Sequence, residues 1–434
     1  MTHLREIARV LRHRDFRLLW LAQSASVVGD NIVLVALSLF VIQRTHNATD
    51  LGIVLAAQAL PLVAFLLIGG VWADRLPRHR VMVATDLVRF ALHALLATLI
   101  FAGRVPIWQL VVIEMLFRSA EAFFRPAANG LLPQTVPEGD IQQATAATTA
   151  SENVAQFAGP ALATALVLGA GAGWAFALDA ATFLISAALL VRVRPRVRTS
   201  DAVPSNPVER VSVWQEIREG AREVRSRTWV WATLASFCVA LFCGLASWFV
   251  LGPVVAHEQY GHIGVYGVIE AATGLGAILG SFAGFSWRPL HPMRMAMLAM
   301  LIWPVAVIPF ALGVTLIVVV PLNVLAGAGF SLFNVWWLTA LAERIPPNAL
   351  SRVTSYDWMV SFALLPLGYL LAGPLAAHLG AVNVLVGTTV LAGVAIALGL
   401  VPREMRMLER LDAEEHTPEI PPPSVTRAGA PLER

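Results

Sequence analysis

The sequence predicts an all-α integral membrane protein, and three observations support this fold class. Hydrophobic residues make up 57% of the chain, charged residues make up only 14%, and the mean hydropathy is +0.69. Soluble globular domains carry about 25% charged residues. About twelve apolar runs reach the roughly 20 residues that an α-helix needs to cross a bilayer. Apolar runs of this uniform length exclude a β-barrel, whose strands alternate over segments of about ten residues.

The predicted spans fill most of the chain in two groups of six. They are 16–42, 50–73, 81–103, 106–129, 141–169, 172–191, 229–254, 262–286, 294–313, 315–341, 353–377 and 381–401. We therefore divide the chain into an N-terminal segment (1–15), a first six-helix bundle (16–191), a linker (192–228), a second six-helix bundle (229–402) and a C-terminal tail (403–434) that is Pro-rich toward its end. The composition of the tail predicts disorder.

The second part of the linker has the pattern of an amphipathic helix. Apolar residues recur there at helical spacing, at Val213, Trp214, Ile217, Ala221 and Val224. Arg and Glu occupy the other face. This pattern is typical of a helix that lies on the membrane surface.

The distribution of arginine predicts the orientation. Arginines cluster before the first span and after the second, sixth and twelfth spans, whereas the other side of the membrane holds few, chiefly Arg44 and Arg104. Because cytoplasmic loops are enriched in basic residues, both termini are predicted to be cytoplasmic and the protein to be a multi-pass protein of the cell membrane. This topology also explains the net charge of +3, so no nucleic-acid partner is expected.

A charged loop separates the second and third spans. Its sequence, GGVWADRLPRHR, resembles the signature G-x-x-x-D-R-x-G-R-[RK] of the major facilitator superfamily. The matching residues are Gly70, Asp74, Arg75, Arg78 and Arg80. Pro77 and His79 depart from the pattern. The resemblance implies twelve transmembrane helices in two pseudo-symmetric six-helix bundles, the major facilitator fold, with substrate bound near the midplane.

The resemblance further implies that this loop is a conformational latch. In the family the aspartate meets the N-terminus of the eleventh helix, whose dipole favours an anion, when the two halves close on the cytoplasmic side. Asp74 would have this role here. Asp86 and Arg89 are expected to be a structural pair that joins the loop cluster. The alternative is a loop that only sets the orientation.

Gly-Pro pairs occur at the same ordinal place in both halves. Gly159 and Pro160 lie in the fifth span, and Gly373 and Pro374 lie in the eleventh, which indicates a duplicated six-helix unit. Glycine lets a neighbouring helix approach and proline bends the helix, so a kink is predicted at each pair. The first pair resembles the signature of drug–proton antiporters, although Ala163 and Thr164 replace its usual glycines. A purely structural kink is the alternative.

Ionisable residues inside the spans are candidates for proton coupling, because a charge in mid-bilayer costs roughly 2.5–3.5 kcal/mol on insertion scales. In the fourth span Glu114, Arg118, Glu121 and Arg125 share one helical face and can pair in series. The segment from Arg118 loosely resembles the family's R-x-x-Q-G element, in which the arginine is associated with proton coupling.

A proton carrier needs a carboxyl whose pKa is raised by burial and responds to a nearby cation or substrate. Asp30 is the first candidate because it lies centrally in its span and no arginine lies within its own turn. Glu121 beside Arg118 is the second, and Glu270 is the third. For Asp179 we expect a hydrogen bond between helices. A structural role is the alternative for each residue.

Residues from several spans are candidates for a mostly apolar, aromatic substrate cavity. They are Gln58, Phe123, Phe124, Trp248, Asn334, Trp336 and Trp337. No metal site and no cofactor are predicted. The free cysteines Cys238 and Cys243 are interpreted as small apolar helix residues.

Within the family, the segments 122–137, 158–166 and 176–190 look like the branch of siderophore and macrolide exporters. This resemblance implies proton-driven efflux of an amphipathic organic molecule by an antiporter, with a part in multidrug resistance. The transporter is expected to act as a monomer in the lipid bilayer. Import of a metabolite by proton symport is the alternative within transporters.

ATP hydrolysis is not expected, because no G-x-x-x-x-G-K-[ST] loop exists in a chain without lysine. A membrane-embedded enzyme is disfavoured, because neither H-E-x-x-H nor G-x-S-x-G occurs, and a non-transporting receptor is a further alternative.

Overall fold

The computed structural model describes residues 9–65, 77–103, 105–195, 218 and 221–410. The loop residues Gly70, Asp74 and Arg75 lie outside these ranges, as do Val213, Trp214 and Ile217 of the predicted linker helix. The latch and the surface helix therefore stay predictions.

Twelve long helical segments follow one another along the described chain, and a short helix comes after them. They are α1 (Arg14–Thr45), α2 (Ala48–Phe65), α3 (Arg78–Phe101), α4 (Ile107–Leu131), α5 (Ile141–Gly169), α6 (Ala172–Leu190), α7 (Thr228–Tyr260), α8 (Gly264–Ser286), α9 (Pro292–Ala311), α10 (Leu316–Arg344), α11 (Pro347–Leu379), α12 (Ala381–Gly399) and α13 (Arg403–Met407). Within the described residues, every predicted span coincides with one of the first twelve. The described residues contain no β-strand, and the all-α fold class is confirmed.

The loops differ between the two ends of the helices. We call the end at which α1 begins and α12 ends the terminal face, and the other end the opposite face. Loops on the opposite face contain at most five residues, which forces consecutive helices to run antiparallel. Nine helical stretches in the described residues are long and apolar enough to cross a membrane. The helix α4, which carries Glu114, Arg118, Glu121 and Arg125, is not among them.

Three of the long helices are locally irregular. A π-helical segment, Leu241–Leu245, lies inside α7. The helix α9 is interrupted at Leu301, and α11 is interrupted between Phe362 and Leu365. By contrast, α5 and α11 continue through Pro160 and Pro374. π-Helical segments of this kind occur often at functional sites.

Glycines allow α8 and α10 to pack backbone against backbone. A Cβ atom added at Gly276 would lie 1.8 Å from the carbonyl oxygen of Val324, and one added at Gly327 would lie 1.9 Å from that of Thr273. No side chain larger than hydrogen fits at such distances. These small residues bring the two helices together where a hydrophobic driving force between helices is absent.

The two halves of the chain meet through α2 with α11 and through α5 with α8. The closest approaches lie near the opposite face. A Cβ atom added at Gly373 would lie 2.4 Å from the Cα atom of Thr49, and one added at Gly267 would lie 2.6 Å from the Cβ atom of Thr164. Both contacts pack one half against the other without room for water.

A salt-bridged contact ties the start of α1 to the turn between α4 and α5 on the terminal face. Arg9 Nη2 lies 2.7 Å from Asp140 Oδ1, and His13 Nε2 lies 3.0 Å from Asp140 Oδ2. The hydrogen bond to His13 and the nearby charge of Arg9 lower the pKa of Asp140 below its ordinary value. The contact is present above the ordinary carboxyl pKa and is lost as the pH falls through the lowered value.

We predict that Gly276→Ala destabilises the protein, because the added methyl group overpacks the contact with α10 at a cost of about 1–3 kcal/mol. Thermal unfolding in detergent would show a lower midpoint. Gly387→Ala in α12 is the matched control, because nothing lies within 4 Å of a Cβ atom there. Equal midpoints for the two variants would contradict the close packing of α8 on α10.

Candidate functional site

Polar side chains of the first six helices converge into one cluster inside that half of the protein, which we call the buried polar network. Its members come from five helices: Asp30 of α1, Gln58 of α2, Asp86, Arg89 and His93 of α3, Glu114, Arg118, Glu121 and Arg125 of α4, and Asp179, Thr182 and Ser186 of α6.

Helical spacing places these side chains together. On α3, Asp86, Arg89 and His93 are three and four residues apart and therefore lie on one face. The same spacing recurs on α6. The faces of α3, α4 and α6 that carry these residues are turned inward rather than toward lipid, as is usual for ionisable residues in membrane spans.

Arg89 lies at the centre of the part nearest the terminal face. Its Nη2 donates to Asp86 Oδ1 at 2.5 Å, and Ser186 Oγ donates to Asp86 Oδ2 at 2.6 Å. Arg89 Nη1 lies 3.8 Å from Asp30 Oδ2. The guanidinium also stacks 4.3 Å from the ring centre of Phe124. Asp86 and Arg89 form the pair that the sequence predicts, but their further contacts lead to Asp30 and Ser186, inside the network.

Glu121 links the buried part of the network to Arg125, which lies at the edge of the bundle. Its two oxygens accept from Arg118 Nη1 at 2.6 Å and from Arg125 Nε at 3.0 Å. The Glu121 side chain is 4% exposed, whereas that of Arg125 is 66% exposed. The charge of Glu121 is therefore compensated by two arginines, of which Arg125 is largely exposed on the surface of the helices.

Glu114 does not continue this series of pairs toward Arg118. Its Oε2 accepts from Gln58 Nε2 at 2.7 Å, and its Oε1 lies 3.7 Å from His93 Nε2. Arg118 turns to Glu121 and contacts Gln58 Oε1 at 3.5 Å. The four ionisable residues of α4 thus pair in series only from Arg118 to Arg125, because Gln58 and His93 supply nearer partners for Glu114.

His93 and Asp179 form a hydrogen bond between α3 and α6, through His93 Nδ1 and Asp179 Oδ2. Both side chains have no exposed surface. The His93 ring stacks on Phe117 at 3.8 Å between ring centres. Gly29 of α1 makes room for the aspartate, because a Cβ atom there would lie 2.1 Å from Asp179 Oδ1.

Carboxyl groups outnumber arginines in the network. It holds five carboxyls, from Asp30, Asp86, Glu114, Glu121 and Asp179, and three guanidiniums, from Arg89, Arg118 and Arg125. Ion pairs within 4 Å join the arginines to Asp30, Asp86 and Glu121. Within the described ranges, Glu114 and Asp179 have His93 as their only basic neighbour at that distance. With every carboxyl ionised and His93 neutral, the network would carry two uncompensated negative charges.

The remaining candidates of the second half have separate partners. Glu270 Oε1 accepts from Trp248 Nε1 at 2.6 Å. Trp337 Nε1 donates to Asp357 Oδ2 at 2.9 Å, and Trp336 Nε1 donates to the carbonyl oxygen of Trp287 at 3.1 Å. The three tryptophans are at most 4% exposed. In these contacts the buried tryptophans donate hydrogen bonds to polar groups of the protein.

The other residues proposed for a substrate cavity are distributed over both halves. Gln58 and Phe124 are buried and contact network residues, whereas Phe123 and Asn334 are half-buried. Asn334 Nδ2 donates to the carbonyl oxygen of Phe330, four residues earlier on α10. Gly159 packs against Asn31, because a Cβ atom there would lie 2.5 Å from Asn31 Cβ. The structure therefore brings the ionisable candidates of the first half together and leaves Glu270 apart from them.

Sequence reasoning missed His93. The signal was its position four residues after Arg89 and seven after Asp86, on the face of α3 that points into the network. Ser186 was missed for the same reason, since it follows Asp179 by seven residues.

Comparisons with known proteins agree with this architecture. The family model described as Major Facilitator Superfamily matches residues 19–366. The chain is 24% identical to the uncharacterized MFS-type transporter YvqJ of Bacillus subtilis (strain 168), over 89% of this chain and 92% of that protein. It is 23% identical to macrolide efflux protein A of Streptococcus pyogenes, over 84% and 90% of the two chains.

Solved structures show the same fold. A bacterial homolog of the human lysosomal transporter Spinster, in an inward-facing and unoccupied conformation, superposes with a TM-score of 0.68. The match covers 94% of this chain and 99% of that one at 15% identity. The extent of the family match, together with the twelve long helices, shows that this chain is a transporter-type membrane protein that belongs to the Major Facilitator Superfamily.

Proposed function

We propose that this protein is a proton-coupled exporter of an amphipathic small organic molecule and works by alternating access. The observation that carries the proposal is the excess of buried carboxyls over arginines in the buried polar network. Uncompensated charge inside protein in a membrane is costly, so such carboxyls bind protons readily. The similarity to a macrolide efflux protein supports the export direction.

The terminal face is cytoplasmic in this proposal, because the arginine clusters lie on that side. The two halves then meet at the extracytoplasmic end, where Thr49 packs on Gly373 and Thr164 on Gly267. This arrangement corresponds to a state that is closed toward the outside. Opening on that side requires these two contacts to separate.

Asp30 connects the network to the rest of the transporter in this mechanism. Its side chain is 21% exposed, whereas that of Arg89 is only 2% exposed. Protonation of Asp30 weakens its attraction to Arg89, which keeps its bond to Asp86. Movement of α1 relative to α3 follows from that change, and α1 packs on α5, which forms one contact with the second half. Substrate binds between the halves and competes with the protonated state.

We predict that Asp30→Asn abolishes gradient-driven efflux and retains substrate exchange, because the amide cannot change its charge. Accumulation of dyes, macrolides and siderophores in efflux-deficient cells, with and without an uncoupler, measures the first property, and counterflow in proteoliposomes measures the second. Asp50→Asn at the start of α2 is the control, since this aspartate lies outside the network.

Uncoupler-sensitive efflux by Asp30→Asn at the wild-type rate would contradict the role of Asp30. Higher accumulation of a compound in wild-type cells than in cells without the protein would instead show an importer.

We also predict that a disulfide between Thr164→Cys and Gly267→Cys stops transport, because it holds α5 against α8 at the extracytoplasmic end. The Cβ positions are close enough to be bridged after a small shift. Cys238 and Cys243 are replaced by alanine beforehand. Oxidation inhibits efflux and reductant restores it, whereas neither single-cysteine variant responds. Full transport by the cross-linked protein would exclude separation of these helices during the cycle.

A further inference from the structure

His93 lies between the two carboxyls of the buried polar network that have no arginine partner. Its Nδ1 is hydrogen-bonded to Asp179 Oδ2, and its Nε2 lies 3.7 Å from Glu114 Oε1. All three side chains have no exposed surface. Within the described residues, His93 Nε2, Glu114 Oε1 and Asp179 Oδ1 are buried without a hydrogen-bond partner.

The hydrogen-bonding capacity of imidazole requires an extra proton here. A neutral imidazole has one N–H donor and one acceptor nitrogen, and an ionised carboxylate has only acceptors. Neutral His93 between two carboxylates would therefore direct its acceptor nitrogen at an acceptor oxygen. One added proton removes this conflict, either as an imidazolium that donates to Asp179 and presents its second N–H to Glu114, or as a carboxylic acid whose proton faces the ring.

Charge balance requires a second proton. The groups that face the three residues are Asp30 from α1, Gln58 from α2, Asp86 and Arg89 from α3, Arg118 and Glu121 from α4, and Thr182 from α6. Both arginines among them already pair with Asp30, Asp86 and Glu121. The rings of Phe117, Phe176 and Phe183 enclose His93 in apolar surface. A single proton leaves a net negative charge in this environment, and the second neutralises it.

We propose that His93, Glu114 and Asp179 form one proton-binding unit that holds two protons while Asp30 is ionised and that shares the coupling protons of the transporter with Asp30. Binding takes the unit from a charge of −2 to 0, with one proton on the imidazole and one on a carboxyl, or with one on each carboxyl. Release to water returns it to −2. The coupling role rests on the proposed function, whereas the occupancy by two protons does not.

Every arrangement of two protons over these three groups places at least one on a carboxyl. Infrared difference spectroscopy of the purified wild-type protein near neutral pH is therefore predicted to show a protonated carboxyl band, which disappears on alkaline titration. The band is lost or reduced in Glu114→Gln or in Asp179→Asn, and His93→Gln shifts the pH at which it titrates. Asp50→Asn is the matched control, because this aspartate lies at the start of α2 and outside the network, and it leaves the band unchanged.

Absence of a carboxyl band that responds to Glu114→Gln or Asp179→Asn would overturn the two-proton unit, whatever transport shows. The coupling role predicts that both variants lose uncoupler-sensitive efflux and keep counterflow. A band that responds as predicted, together with full uncoupler-sensitive efflux by both variants, would overturn the coupling role. A band that responds as predicted in a wild type without uncoupler-sensitive efflux would leave the two-proton unit standing and refute the proposed function.

Discussion

The energetic cost of buried charge is the constraint on which the rest of the first half depends. Five carboxyls and the guanidiniums of Arg89 and Arg118 lie among helices that also have to face lipid, and Arg125 lies at the exposed edge. Each arginine is held by a carboxylate at short range, as a buried ion requires. The two carboxyls that remain are placed on either side of His93. The packing of α1, α3, α4 and α6 is thereby tied to the protonation state of their side chains.

The second half is built differently from the first, both in the partners of its carboxyls and in the packing of its helices. Two half-buried carboxyls of this half, Glu270 and Asp357, accept hydrogen bonds from tryptophan indoles. Its helices α8 and α10 pack through glycines, with backbone in contact with backbone. The contacts of α2 with α11 and of α5 with α8 join the two halves.

Much of the fold could be predicted from the sequence, because each span has to bury its backbone hydrogen bonds in lipid and is therefore a long apolar helix. Asp30, Arg118 and Glu121 could also be identified as ionisable residues inside the spans, since charge inside an apolar run is conspicuous. The partners of these residues could not be predicted from the sequence. Arg89 reaches Asp30 from another helix, and Glu114 prefers Gln58 to Arg118 on its own helix, because helix rotation and packing decide which faces meet. His93 could have been identified only by considering all the residues on one helical face of α3 together.

Proton flux in proteoliposomes tests proton-coupled export most directly. Purified protein is reconstituted with a pH-sensitive dye inside the vesicles, and a macrolide is added after the membrane potential is set to zero. Antiport predicts that substrate movement in one direction is accompanied by proton movement in the other, and that Asp30→Asn abolishes this proton movement. Substrate transport without proton flux, or with protons moving in the same direction, would contradict proton-coupled export.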